Sequence, residues 1–398
     1  MTEAERAKQL LDVGSNPLRL SGAQVAFDLF SDIPRDVIAP VSTRQGDEPS
    51  TEELTAALSP LTGDAKLAFA TKGRAAELAL ADALDLQGSR IVLTHGLFST
   101  TQTALAHAGA VLEEVPLAGP DGSSDVDLDK LAERLGRGGV QLVYLEVANN
   151  AAFGWPLSRP NVASVRDLCD RHGARLVLDA TRSLANSAAL GESALVASAR
   201  HMLSLAHAFT ISCAKELLVP IGSVIGSTDT AVIARASQLL FKSGTSMGPL
   251  DPPQPQRDLR DGARHALDHP ELVRDRLALV RRVGAALRAA GVTIFEPVTA
   301  HAVFIPIDRS LLPAGDVPAL LAVLAHLYVV AGVRAQISST KRGPAIRLAF
   351  RLGSSLDDHA LNTLASGVAA WASRIQDRVP LRAIDGQVEV AYFRKLTR

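Results

Sequence analysis

From Lys66 onward, short apolar runs alternate with helix-period stretches, and that rhythm constrains the fold more than any single residue. The runs cover residues 67–70, 91–93, 111–115, 142–147 and 176–178, with a further strand expected at 223–225, just after Lys215. Between them, 74–84 and 162–172 carry apolar residues at helical spacing; in the second, Val162, Val165, Leu168 and Cys169 mark one face. Strands that alternate with helices pair through crossovers, so the expected architecture is α/β, a mainly parallel sheet sandwiched by helices. Leu176-Val177-Leu178, apolar on successive faces, fits a strand covered from both sides.

The rhythm changes at the proline-rich break Asp251-Pro252-Pro253-Gln254-Pro255. Beyond it, 271–290 reads as a long Arg-rich helix whose interspersed Glu and Asp mark a solvated face rather than a basic patch. Residues 292–295, 302–307 and 345–350 read as strands, with helices at 317–331 and 357–377, which makes an α+β terminal domain. Residues 1–50, broken at Pro34 and Pro40, read as an arm whose Leu18, Leu20, Phe27 and Phe30 pack on the body or on a second subunit. A helix over 51–62, stopped by Gly63, follows. The expected organisation is an N-terminal arm with part of a small domain over 1–50, a large domain over 51–255 and a C-terminal small domain over 256–398.

A net charge of −1 offers no basic surface for nucleic acid. No uncharged run reaches the roughly 18 residues that a membrane span needs. Two cysteines, Cys169 and Cys213, are too few for a disulfide scaffold. With the polar start Met1-Thr2-Glu3-Ala4-Glu5, the expectation is a cytoplasmic protein, and no metal site is expected.

The chemistry-bearing residues fall at strand ends. Asp179 closes the 176–178 strand, where open α/β sheets bind ligands. Lys215 stands in a small-residue turn, Ser212-Cys213-Ala214-Lys215. A carboxylate for a pyridinium nitrogen and an amine for a Schiff base are the pair that pyridoxal 5'-phosphate (PLP) chemistry requires. Taken singly, an Asp that caps a helix and a Lys that snorkels from a core edge serve equally well. Thr71-Lys72-Gly73-Arg74 lies between a strand and its helix, where a glycine, free helix N–H groups and two cations suit an anion. An ordinary strand–helix turn has the same ingredients. Phe98 could lie flat on a ring or belong to the core, and Asn149-Asn150 could simply make a turn. What joins them is that all come at or near the carboxyl ends of strands.

Segments in this order resemble the tryptophanase and tyrosine phenol-lyase family of PLP-dependent β-eliminating lyases. They are Thr71-Lys72-Gly73-Arg74-Ala75-Ala76-Glu77, Phe98-Ser99-Thr100-Thr101, Asn150-Ala151-Ala152-Phe153-Gly154-Trp155-Pro156, Asp179-Ala180-Thr181-Arg182 and Ser212-Cys213-Ala214-Lys215. Glu296-Pro297-Val298, His301-Ala302-Val303-Phe304 and Gly332-Val333-Arg334 extend the likeness toward the C-terminus. The resemblance implies the PLP fold type I of aspartate aminotransferase: a large domain with a seven-stranded, mainly parallel sheet, and a smaller α+β domain. It implies that Lys215 holds PLP and then acts as base at the α-carbon, that Asp179 keeps the pyridine nitrogen protonated, and that Phe98 stacks on the ring. Arg182 and Asn150 would hydrogen-bond near the phenolic oxygen, and Lys72, Gly73, Arg74 and Ser212 would cradle the phosphate. Arg347 would pair with the α-carboxylate of an amino-acid substrate, helped by Ser31 and Asn150. A homodimer or homotetramer is implied as well.

The departures fall on the substrate's side-chain half. Lys72 replaces a Gln of the lyases, Ala214 replaces the first of two adjacent lysines and puts their monovalent-cation dependence in doubt, and Ser338 stands where a phenol-reading Arg is found. The loop Gly46-Asp47-Glu48-Pro49-Ser50-Thr51-Glu52 has no tyrosine to protonate an aromatic leaving group. The expectation is therefore a PLP-dependent carbon–carbon or carbon–sulfur lyase that expels a β-substituent other than indole or phenol. Retro-aldol cleavage, β-substitution, transamination and a non-catalytic PLP-binding paralogue remain as alternatives.

Overall fold

The computed structural model describes residues 1–14, 16–33, 48–86, 91–118, 121–244, 247–251, 253–308 and 317–375. The chain divides into two compact units. One takes Met1–Asp32, Ala278–Phe350 and Ser354–Arg398; the larger takes Ile33–Leu277 with Arg351–Gly353. In chain order the smaller unit begins with α1 (Glu3–Asp12) and β1 (Phe27–Asp28). The larger then runs α2 (Thr51–Thr62), β2 (Lys66–Ala70), α3 (Gly73–Ala83), β3 (Ile91–Thr94), α4 (Ser99–His107), β4 (Val111–Glu114) and α5 (Leu128–Gly136). It continues with β5 (Val140–Glu146), α6 (Arg159–His172), β6 (Arg175–Asp179), α7 (Ser183–Ala189), α8 (Leu195–Ser204), β7 (Ala208–Ser212), β8 (Ser223–Ser227), α9 (Thr230–Lys242) and α10 (Pro253–Asp268). The chain changes unit inside α11 (Glu271–Ala289), after Leu277. The smaller unit closes with β9 (Ala302–Pro306), α12 (Val317–Ala331), β10 (Val333–Arg334), β11 (Gln336–Thr340), β12 (Gly343–Ala349) and α13 (Asp358–Arg374).

The large unit holds a seven-stranded sheet in the order β2-β8-β7-β6-β5-β3-β4. Only β8 runs against its neighbours, β2 and β7; the pairs β3–β4, β3–β5, β5–β6 and β6–β7 are parallel. Local chemistry sets the helix ends. Ser50 and Glu53 form a reciprocal capping box at the start of α2, and Ser158 caps α6. Gly173 ends α6 at φ +68°, a left-handed turn that a side chain resists. Strand β7 was absent from the sequence expectation, and it carries the chain into Lys215. Across the β7–β8 pair, Phe209 lies over Gly226, where an added Cβ would come within 2.1 Å of the ring.

After the proline-rich break, α10 and the first part of α11 stay with the large unit rather than the terminal one. Two contacts explain this. Gly262 on α10 lies so close to the Leu217 carbonyl that a Cβ would stand 2.6 Å from it, and Arg276 on α11 pairs with buried Glu216.

In the small unit, β11, β12 and β9 form an antiparallel sheet and β1 pairs with β10 in parallel. Val283, Leu287, Val303, Leu327, Ile346, Leu348 and Trp371 fill its core. The expected strand at 292–295 does not form, although Phe295 N–H still donates to the Phe304 carbonyl (2.8 Å).

The described N-terminal residues pack on the body of their own unit, the first of the two placements expected for the arm. Leu20 is buried with Leu10, Ala325 and Tyr328, and Leu18 and Phe27 pack on this unit's core. Arg334 donates twice to Asp28 (2.9 and 2.6 Å), and Tyr328 Oη donates to Gln9 Oε1 at 2.7 Å. Among the described residues no helix is long and apolar enough to cross a membrane.

Candidate active site

Because β2, β3, β5, β6 and β7 run in one direction, their carboxyl ends share an edge of the sheet. The chain leaves that edge through Lys72-Gly73-Arg74, Phe98, Asn150, Asp179–Arg182 and Ser212–Lys215 in turn. Every cofactor-side residue expected from the sequence therefore gathers there. The edge also contains the point where strand order reverses, between β3 and β5, the usual ligand crevice of such sheets.

Gly73 opens α3, and its N-cap, Lys72, makes no side-chain cap, so the first N–H groups of the helix keep their pull on an anion. A Cβ on Gly73 would stand 3.3 Å from Ser212 Cβ and Oγ, which brings the ends of β2 and β7 together. The side chains of Lys72 and Arg74 are exposed beside that notch.

Ser212 N–H donates to Thr181 Oγ1 (3.0 Å), and Thr181 N–H donates to Asp179 Oδ1 (3.0 Å). The turn that follows is closed by Lys215 N–H on the Ser212 carbonyl (3.2 Å) and leaves Lys215 half-buried. Asp179 is buried, and burial pushes its carboxyl above the ordinary aspartate range; Thr181, Arg182 and Lys215 pull it back. A positive charge set against it would restore the carboxylate.

Three residues that the sequence reading did not single out complete this edge. Glu146 ends β5 in register with Asp179 and is 3% exposed. Its Oε2 accepts from Phe98 N–H (2.8 Å), and its Oε1 accepts from both the backbone N–H and Nδ2 of Asn150 (3.2 Å each). Burial and then the Asp179 charge push Glu146 up to about 7. On α3, Glu77 rises to about 7 for the same two reasons. Glu216 accepts from Leu184 N–H (3.0 Å) and Ala185 N–H, and from Arg276 (2.5 Å), so a buried carboxylate ties the residue next to Lys215 to the N-terminus of α7 and to α11. A Glu inside the otherwise apolar run 142–147 was the available signal, since a buried charge needs a reason.

Arg347 and Ser31 belong to the smaller unit. Arg347 is buried on β12 between Gln336 and Phe304, and its Nη2 donates to Gln336 Oε1. Ala349, two residues on, donates its N–H to the Leu29 carbonyl (3.0 Å), which brings the segment of Ser31 to the end of this strand. In the loop expected to lack a general acid, Gly46 and Asp47 lie outside the described residues. Ser50 is occupied as the cap of α2, and exposed Glu52 is held below the usual carboxylate range by its own N–H and then by Ser50. Among the described residues no His, Cys, Asp and Glu group forms a metal site.

Residues 42–370 match the family model described as beta-eliminating lyase. The chain is 29% identical over 425 residues to a probable tryptophanase of Halobacterium salinarum, covering 96% of this chain and 92% of that one. It is 32% identical over 277 residues to a tyrosine phenol-lyase of Intrasporangium calvum, covering 62% of this chain and 57% of that one. The fold is similar to that of a lysine-to-alanine variant of a serine palmitoyltransferase from S. paucimobilis, solved with a bound PLP–myriocin aldimine (TM-score 0.66, 15% identity, 94% of this chain and 97% of the other). The match over residues 42–370 decides the family, and this chain belongs to the beta-eliminating lyases.

Proposed function

We propose that this protein is a PLP-dependent lyase that takes an L-amino acid, removes its α-proton and expels a β-substituent, leaving pyruvate and ammonia after hydrolysis. The observation that carries the reading is the approach of Gly73 to Ser212, because it brings the N-terminus of α3 against Ser212 beside the Asp179 and Lys215 turns. The residues fit the cofactor. The uncapped N–H groups of α3, Ser212 Oγ, Lys72 and Arg74 would hold its phosphate, Phe98 its ring face, and Asn150 with Arg182 its phenolic oxygen. Asp179 would hold its pyridinium nitrogen. Bound there, PLP withdraws electrons from the substrate α-carbon and makes its hydrogen acidic.

Lys215 Nζ would anchor the cofactor and then take the α-proton. Arg347, with Ser31, is assigned the substrate carboxylate, because a guanidinium fork matches two carboxylate oxygens. No tyrosine stands in 46–52, and Glu52, with its lowered pKa, is a poor proton donor. A leaving group that departs as a stable anion avoids that need, so S-substituted cysteines are the favoured substrates. A missing general acid costs about 10²–10⁴ in rate, so an S-aryl cysteine should outpace tryptophan and tyrosine by about that factor. Pyruvate release from the three at equal concentration is the test. Indole or phenol formed as fast as thiol would overturn the leaving-group assignment, and no pyruvate from any amino acid would overturn the lyase.

The notch yields its own prediction. Gly73→Ala should place a methyl group against Ser212 and weaken PLP binding on the order of tenfold, as expected for one or two lost hydrogen bonds to a charged group. The checking measurement is a titration of the cofactor-free protein with PLP; an unchanged dissociation constant would mean that the phosphate sits elsewhere.

A further inference from the structure

We infer that Glu146 is a positioning residue that holds Phe98 and Asn150 in place against the cofactor. The inference rests on the PLP reading above and deepens it. Phe98 follows β3 and Asn150 follows β5, so they stand on opposite sides of the point where strand order reverses. Beyond the strand ends the two loops are joined by side chains: Asn149 Nδ2 donates to the Gly96 carbonyl, but that bond reaches neither Phe98 nor Asn150. Glu146 bridges that gap with a single carboxylate, one oxygen on each side.

The bridge also sets an orientation. Both oxygens already accept a backbone N–H, from Phe98 on one side and Asn150 on the other, and the atom of Asn150 that faces Glu146 Oε1 is Nδ2. The amide oxygen is thereby turned away from Glu146. For Phe98 the anchor is the backbone N–H at the cap of α4, a position where the helix supplies no partner of its own. The carboxylate is buried, so its hydrogen bonds are not exchanged for water. A buried carboxyl group with three donors around it is an expensive feature for a strand end that serves packing alone.

A carboxamide cannot replace this group. In Glu146→Gln one oxygen becomes an N–H₂ that faces either the Phe98 N–H or the Asn150 donors, so one side of the bridge opens. Glu146→Asp keeps the carboxyl group and both acceptors on a shorter stem. The test uses full-length wild type and both variants loaded with PLP. Three readouts are taken: the PLP dissociation constant, the visible circular dichroism of the bound cofactor, and the melting temperature of the cofactor-free protein. Dichroism reports the tilt and environment of the ring, which a purely structural role elsewhere would not move.

The expected result for Glu146→Gln is cooperative unfolding, reduced dichroism per bound cofactor and a dissociation constant raised on the order of tenfold, with Glu146→Asp recovering part of both changes. If Glu146→Gln does not fold, the Glu146→Asp comparison decides alone, with an intermediate dichroism expected. Wild-type dichroism and affinity within twofold in the folded variants would overturn the inference while leaving the PLP reading intact. A wild-type protein that binds no PLP would overturn both.

Discussion

Lys215→Ala should leave a folded protein that has lost the visible absorbance of a lysine-bound cofactor and essentially all turnover, a fall of about 10⁴ or more. The size follows from two roles carried by one amine: covalent anchoring, and proton transfer at the α-carbon, which alone contributes about 10²–10⁴. Folding should survive because the turn has its own backbone closure. It is closed by backbone bonds, Lys215 N–H to Ser212 and Leu217 N–H to Cys213 (2.9 Å), while Cys213 and Ala214 are buried beneath it. Glu216 then fastens the turn to α7 and Arg276. Reduction with borohydride, digestion and peptide mapping identify the attached lysine. The nearest rival is Lys72, exposed beside the Gly73 notch. A label on Lys72, or wild-type absorbance in Lys215→Ala, would refute the assignment.

The fold was legible wherever a run of residues is apolar on successive positions. Both 142–147 and 176–178 became β5 and β6, and the helix stop at Gly173 is the left-handed cap of α6. Strand β7 escaped notice because Ala208-Phe209-Thr210-Ile211-Ser212 follows α8 after a short connection and mixes small and polar residues with apolar ones. The smaller unit was less legible for a different reason. Its sheet brings β9 and β12 together from distant stretches, and β1 finds β10 only through pairing that local pattern does not encode.

At the candidate site, the residues that could touch a cofactor were readable from their place after strands. The residues behind them were not. Glu146 lay inside a run read as apolar, and Glu216 lay beside the lysine that drew attention. A carboxylate whose partners are backbone N–H groups leaves no sequence spacing to recognise, because every residue supplies such a donor.

Asp179→Asn should bind PLP yet slow α-proton exchange by about 10² or more, the usual scale for one preorganised electrostatic group. The substitution keeps size and one acceptor for Thr181 N–H, so the link from Asp179 through Thr181 to Ser212 can persist. What it removes is the charge. In a site this buried, no water replaces that charge, and Arg182 and Lys215, which now hold Asp179 toward its ionised form, would face an uncharged amide. The effect should reach its neighbours. The Asp179 charge is the second cause, after burial, that pushes both Glu77 and Glu146 up to about 7, so its removal should bring their titrations down toward the ordinary glutamate range. Exchange is read by loss of the substrate's α-proton signal in heavy water, and the two carboxyls by isotope-edited infrared titration. Near-normal exchange would refute the electron-sink role. Slowed exchange with both glutamates still titrating near 7 would instead mean that burial, and not the Asp179 charge, holds them there, and would separate the two carboxylate effects at this sheet edge.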